Sequence, residues 1–146
     1  MKSNSNNIYE NLLYIKTSES HTHRNTLQFY HYHMHSNLTI KDLLKQILLT
    51  YQKDLLTQQR IASELVQTHH LIPIFASKSI ILCPLQSNRA PVQYFINMNH
   101  VISITSLKDK TKFHFKMNHT LIVPIPFTLC LNKWKAAHAL SILVQN

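Results

Sequence analysis

Histidines are concentrated near the N-terminus, where five of the eleven fall between positions 21 and 35. In the run FYHYHMH, His31, His33 and His35 are spaced by two residues, so one β-strand would place them on one face. Three imidazoles on a strand face can bind zinc, which makes these residues candidate metal ligands. A catalytic zinc site also needs a carboxylate as general base, and acidic residues are scarce around this run. We therefore expect a half-exposed strand rather than a metal centre, and no cofactor.

Other catalytic arrangements are poorly supported. The chain has six carboxylates in 146 residues, too few to favour paired-carboxylate chemistry. Cys83 and Cys130 lie inside apolar runs, where we expect buried thiols of a cytosolic protein rather than nucleophiles or a disulfide. There is no glycine, which excludes Gly-rich phosphate-binding loops. We expect a protein that is not an enzyme.

Positive charge lies mainly in the second half of the chain. The formal net charge is +9; residues 1–77 hold seven Lys/Arg against five Asp/Glu, whereas residues 78–146 hold eight against one, Asp109. An excess of this kind favours a polyanionic partner such as nucleic acid, although solubility alone is the other explanation.

The run TKFHFK at 111–116 shows how lysines could meet phosphates. Its alternation places Lys112, His114 and Lys116 on one strand face and the phenylalanines on the other, so one face can pack while the other contacts DNA. A solvated strand edge guarded by lysines against aggregation is the alternative. The candidate nucleic-acid-binding residues are Arg89, Lys108, Lys110, Lys112 and Lys116, with Lys78, Lys133 and Lys135 as secondary candidates.

These residues need a sheet and helices to position them. The sequence predicts strands over 8–17 and 26–35, the second with Phe29 and the three histidines on one face. Thr39 is a predicted N-cap, with Asp42 in capping-box position, and a second helix is predicted over 54–68. Short apolar strands follow from Leu71 onwards.

The end of the chain reads as a hairpin followed by a helix. The predicted turn is at Met117–Asn118, and the closing helix directs Leu131, Trp134 and Ile142 to the core, with Ala137 or His138. Because glycine is absent, tight turns should use Asn, Asp and Ser at positive φ. We predict one α+β domain over 1–146: an antiparallel β-sheet with an inserted helical pair and a closing C-terminal helix.

Membrane and secretion signals are not apparent. The N-terminal MKSNSNN has no apolar segment behind it, and the long uncharged run 117–132 is interrupted by Pro124 and Pro126. We expect a cytoplasmic protein without a membrane partner.

Four segments together resemble a known family. They are YQKDLLTQQRIASELVQTHHLIPI, SIILCPLQSNRAP, FINMNHVISI and TLIVPIPFTLCLNKWKAAHAL, and their order and spacing are similar to those of the competence transcription factor family, the ComK-like proteins. The resemblance is strongest over 51–140 and weaker over the strands of 1–38. The matching positions are His70, Pro73, Ile74, Pro84, Ser87, Arg89, His100, Val101, Pro124, Ile125 and Phe127.

The resemblance implies a bacterial DNA-binding transcription activator of genes for DNA uptake, and so competence for transformation. It implies binding to paired AT-rich boxes through the minor groove, as a homo-oligomer that associates with the nucleoid. Narrow A-tract minor grooves favour inserted Arg and Lys side chains, which agrees with the basic composition.

The chain also departs from that family. The glycines of the family pattern are missing here, including the one before the helix arginine, where this sequence has TQQR at 57–60. The tryptophan of the family's central strand is replaced by Tyr94 or Phe95. The chain ends at Asn146 without the extension that a protease adaptor recognises, so we do not expect that contact. A truncated, non-activating interaction module that pairs with a full-length relative, and a small His-rich metal-binding protein, are the alternative functions.

Overall fold

The structure is a computed structural model, which describes residues 8–18, 24–68, 70–86 and 90–145. Two antiparallel sheets and three α-helices form within these ranges. The strands are β1 Leu12–Thr17, β2 Asn25–Phe29, β3 His33–Ser36, β4 Ile74–Ser77, β5 Ile80–Pro84, β6 Tyr94–Asn97, β7 Val101–Leu107, β8 Lys110–Phe115 and β9 Thr120–Val123. The helices are α1 Ile40–Thr50, α2 Leu55–Val66 and α3 Phe127–Gln145.

The first sheet has six strands in the order β3-β2-β1-β6-β5-β4, and the second has three, β7-β8-β9. Both are antiparallel throughout. The pair α1–α2 is inserted between β3 and β4, and α3 closes the chain. The predicted α+β class is confirmed, with one difference: the strands divide into two sheets because a short 3-10 helix, Met98–His100, separates β6 from β7.

The six-stranded sheet is covered on both faces. Helix α1 packs its buried stripe, Leu43, Leu44, Ile47 and Leu48, against one face. The opposite face packs against α3, against Ala62 of α2 and against the inner face of the second sheet. Apolar burial on both faces explains why strands such as Ile80–Pro84 are apolar without alternation.

A buried asparagine fixes the end of β6 within the first sheet and the start of the 3-10 helix that follows it. The Asn97 side chain, fully buried, donates from Nδ2 to the carbonyl oxygens of Leu12 (2.8 Å) and Ser79 (2.9 Å). Its Oδ1 accepts from the backbone N–H of Ile81 at 3.0 Å and of Asn99 at 3.3 Å. One side chain therefore satisfies backbone groups of β1, β5, the β4–β5 turn and the 3-10 helix, which buried polar groups require.

Two histidines link the chain after β6 to Glu10 and Tyr30. His100 Nε2 lies 2.7 Å from the Glu10 carbonyl oxygen, so this nitrogen donates, and Nδ1 accepts from the Tyr30 hydroxyl at 2.9 Å. His119 Nε2 donates to the Tyr30 carbonyl oxygen at 2.6 Å. Burial lowers the pKa of His100, although the bond to the Glu10 carbonyl acts in the opposite direction.

The prediction of one continuous strand over 26–35 is wrong. The chain turns at Tyr30 and His31, and the Phe29 N–H donates to the Tyr32 carbonyl oxygen at 2.8 Å, closing a hairpin between β2 and β3. His31 consequently lies in the turn, and only His33 and His35 share a strand. The stacking of Tyr32 on Phe29, with ring centroids 4.7 Å apart, stabilises a turn that carries none of the usual turn residues.

The helices follow their local signals closely. Thr39 caps α1 by accepting the Asp42 N–H at 3.1 Å, as predicted, and α1 and α2 are separate helices. Asp54 caps α2 by accepting the Thr57 N–H at 2.9 Å. Helix α3 begins at Phe127, and its Ile142 is 52% exposed rather than in the core as predicted.

Six non-glycine residues have positive φ among the described residues: Gln52, Gln67, Leu71, Asp109, Met117 and Asn118. Only Asp109 and Asn118 are of the predicted types. Gln67 occupies the left-handed position that ends α2, which glycine normally takes.

The predicted buried thiols are confirmed: Cys83 and Cys130 are both buried and free, and burial raises the pKa of Cys83 to about 12. No helix in the described ranges combines the length and hydropathy needed to span a bilayer.

Candidate nucleic-acid interface

The second sheet has one packed face and one open face. Thr111, Phe113 and Phe115 of β8 are buried and point toward Val123 and the α3 helix. The Thr111 hydroxyl donates to the Ile125 carbonyl oxygen at 2.8 Å, which satisfies the one polar group on this packed side of β8. The alternate residues of β8 therefore face outward, as the alternation of TKFHFK predicts.

The strand register identifies the neighbours of those outward residues. Lys112 lies opposite Thr105 of β7 and Ile122 of β9, and His114 lies opposite Ser103 and Thr120. The Thr105 hydroxyl is 2.8 Å from His114 Nε2, a diagonal contact across the pair. We call this surface the open face; its residues are Ser103, Thr105, Leu107, Lys110, Lys112, His114, Thr120 and Ile122.

The open face is positively charged and lacks carboxylates. Asp109, in the β7–β8 turn, is the one acidic residue of 78–146. None of the lysines of this surface and its turn makes an ion pair with any residue that the structure describes. Because their charge is not neutralised internally, the potential over this surface is positive and attracts anions.

Three of the predicted residues come together at one end of the second sheet. Lys108 lies in the exposed β7–β8 turn, and Lys110 and Lys112 follow on β8. Lys116 begins the short 3-10 helix after β8, so it lies at the other end of the strand, roughly 20 Å from Lys110 at about 3.4 Å per residue. A row of lysines therefore runs the length of β8.

The other predicted residues lie elsewhere. Lys78 is exposed in the β4–β5 turn, at the far edge of the first sheet, and Lys135 is exposed on α3. Lys133 is directed inward: its Nζ donates to the carbonyl oxygens of His70 (3.2 Å) and Leu71 (2.9 Å), and burial lowers its pKa. Lys133 thus holds the chain before β4, where Leu71 has a φ of 52°. Arg89 lies outside the described residues.

Polar and apolar residues of β7 and β9 were missed by the sequence reasoning. Ser103, Thr105 and Thr120 supply hydroxyls to the open face, and Ile102 and Ile122 are 57% and 49% exposed beside it. Ile102 protrudes because the β7–β8 register shifts between Val101 and Ser103. The alternation of VISITSL in the sequence could have indicated these residues. It shows which of them lie on the open face only when the register of β7 with β8 is known.

The histidines that the structure describes do not form a metal centre within one chain. His31 is in the β2–β3 turn, and the rings of His33 and His35 are 5.1 Å apart on β3. No group of three His, Cys, Asp or Glu side chains that could hold a metal occurs in the described part of the chain. His21 and His23 lie outside the described residues.

A groove of about 1180 Å³ lies between the N-termini of α1 and α2 and the adjoining end of the first sheet. Arg24, Lys41 and His70 line its rim, and Leu44 and Phe95 lie on its apolar floor. Its described lining includes no carboxylate and no cysteine.

Comparison with known proteins adds an independent finding. The family model described as ComK protein matches residues 4–146, which include all the strands and helices of the fold described above. No curated protein matches the chain, and neither does any solved structure.

Proposed function

The chain belongs to the ComK family of competence transcription factors, and from this premise we propose that it binds DNA through the open face and regulates transcription. The observation that carries the proposal is the composition of that face. It combines lysines with hydroxyl side chains and no carboxylate, on a sheet whose other face is packed. Sheets and two-stranded ribbons are an established way of presenting side chains to a DNA groove.

The lysine row supplies the sequence-independent part of the affinity. If Lys108, Lys110, Lys112 and Lys116 each neutralise one phosphate, the slope of log K against log salt is about −3.6 for one chain on duplex DNA. Raising the salt from about 50 to 200 mM would then weaken binding roughly 150-fold. Arg89 remains a proposed primary contact, and Lys78 and Lys135 remain proposed secondary contacts, whereas the internal hydrogen bonds of Lys133 favour a structural role.

Sequence preference requires more than phosphate contacts. We propose AT-rich boxes read through the minor groove, as family membership implies. Lysines suit the strongly negative potential of narrow A-tract grooves. The exposed Ile102 and Ile122 are of the type that minor-groove proteins insert between base steps. In this proposal the protein acts as a homo-oligomer in the bacterial cytoplasm, on the nucleoid, and activates genes for DNA uptake.

The test is a gel-shift comparison of an AT-box duplex with a GC duplex of equal length, at two salt concentrations. The proposal predicts tighter binding to the AT duplex at both concentrations, with loss of affinity at the higher salt. Ile122→Ser should reduce the preference for the AT duplex more than it reduces binding to the GC duplex. Equal, weak binding to the two duplexes would refute sequence-specific recognition.

A further inference from the structure

Strand β7 forms one edge of the three-stranded sheet, where β8 is its only neighbour among the described strands. It has seven residues, whereas the other strands at sheet edges, β3, β4 and β9, have four each. Its regular part is 103–107, because the register with β8 shifts between Val101 and Ser103. The backbone groups of 103–107 bond to no described residue outside the β7–β8 pair. The outer edge of this segment is therefore open to another strand.

The segment 103–107 also lacks the features that usually protect a sheet edge. It contains no charged residue and no proline. Its residues are exposed, apart from the half-buried Ile104, and the β-branched Ile104 and Thr105 favour extended pairing. The edge strands β9 and β4, by contrast, are followed directly by Pro124 and Lys78. Among these edges, β7 is the one best suited to pair with a further strand.

Electrostatics decide whether a second copy of this chain can supply that strand. The net charge is +9, so two copies repel each other wherever their lysines meet. In an antiparallel pair of β7 strands with the two-fold axis at Thr105, the two Lys112 residues are three strand spacings apart, about 14 Å. The two β7–β8 turns lie at opposite ends of the paired strands, which separates the two Lys108 residues by about 20 Å. Both separations exceed the Debye length of about 8 Å at physiological ionic strength, so the repulsion is largely screened.

The segment is complementary to itself in this register. Thr105 faces its own counterpart, and threonine pairs of this kind stabilise antiparallel sheets. Ser103 lies opposite Leu107 of the second copy, and Ile104 lies opposite Ser106 of the second copy. Each apolar side chain thus faces a small polar one, and no like charges lie directly opposite each other.

We propose that two copies of this chain pair antiparallel through 103–107 of β7 and so form one continuous six-stranded sheet. The two-fold axis is perpendicular to the sheet, so both open faces, each with its row of lysines, lie on the same side. The inference rests on the proposed function for the homo-oligomer, whose contact surface it assigns. About four to six backbone hydrogen bonds form across five residues, so the dimer is weak and depends on concentration.

The experiment is sedimentation equilibrium of the full chain without DNA, over about a hundredfold range of concentration around the micromolar. We expect a reversible equilibrium between monomer and dimer. A chain that is monomeric at every concentration would overturn the proposal. Because no DNA is present, that failure is distinguishable from a failure of DNA binding, which the gel shift measures.

Matched lysine variants locate the contact. Thr105→Lys places two like charges opposite each other at the two-fold axis and should weaken dimerisation about fivefold or more. Thr120→Lys makes the same change at an exposed threonine of the same open face, on β9, and should leave dimerisation unchanged. Thr105→Val removes the hydroxyl contact with His114 without adding charge, and should retain the dimer. Circular dichroism checks that each variant is folded, and equal dimerisation in the two lysine variants would show that β7 is not the contact.

Cysteine variants test the register. Directly opposite residues of antiparallel strands have Cα atoms about 4.5 to 5.5 Å apart, within the range that a disulfide spans. Thr105→Cys should therefore form a disulfide-linked dimer with added oxidant, whereas Ser103→Cys, about 14 Å from its counterpart, should not. The native Cys83 and Cys130 are buried and should not react. Cross-linking of Thr105→Cys that does not exceed that of Ser103→Cys would contradict the axis at Thr105.

Discussion

Removing the amide of Asn97 is the sharpest test of how the end of β6 is held in the first sheet. Its Nδ2 donates to the carbonyls of Leu12 and Ser79, and its Oδ1 accepts from the N–H groups of Ile81 and Asn99. In Asn97→Ala these groups lose their partners inside the protein. At about 1 kcal/mol for each of four bonds, the free energy of unfolding should fall by about 4 kcal/mol. That is a large part of the stability of an ordinary domain.

The measurement is urea unfolding followed by circular dichroism and by the fluorescence of Trp134, the one tryptophan. Asn99→Ala, at an exposed position in the same 3-10 helix, is the matched control and should change stability by less than about 0.5 kcal/mol. Asn97→Asp should be at least as damaging at pH 7 as Asn97→Ala, because a carboxylate cannot donate to the two carbonyls. A loss below about 1 kcal/mol in Asn97→Ala would refute the reasoning.

Three further predictions concern pH and helix ends. The pKa of His100 is lowered by burial, so stability should be full above about pH 6.5 and should fall as the pH drops through its folded pKa. His100→Gln should flatten that slope in unfolding measured between pH 5 and 8, and an equally steep slope in the variant would assign the effect to other groups. Thr39→Ala removes the α1 cap and should cost about 1 kcal/mol in urea unfolding, while an unchanged midpoint would contradict the cap. Gln67→Gly should raise the thermal midpoint because the residue after α2 is left-handed; a lower midpoint would show that the Gln67 side chain stabilises this turn.

Much of the fold can be predicted from local sequence features. The N-cap at Thr39, the hairpin at Met117–Asn118 and the two-faced strand β8 depend on neighbouring residues, so the sequence alone predicts them. The β2–β3 turn was not predictable in this way. It is stabilised by the stacking of Tyr32 on Phe29 and by contacts of Tyr30 with His100 and His119, residues about 70 to 90 positions away.

The candidate interface was predictable in part for the same reason. The alternation of TKFHFK directs Lys112 and His114 outward, whichever strands lie beside them. The inward direction of Lys133 depends on the loop at His70 and Leu71, and the contribution of Thr105 and Ile122 depends on strand register. Those are long-range features that composition and spacing do not encode.

The proposal that the open face binds DNA is tested most directly by the salt dependence of DNA binding. Fluorescence anisotropy with a labelled AT-box duplex would measure the slope for the wild type, for Lys112→Ala and for Lys45→Ala. Lys45 is the matched control, since it is an exposed lysine on α1, which covers the opposite face of the first sheet. The account predicts that Lys112→Ala reduces the slope by about 0.9 while Lys45→Ala leaves it unchanged. Equal slopes in Lys112→Ala and the wild type would contradict the assignment of DNA binding to this face.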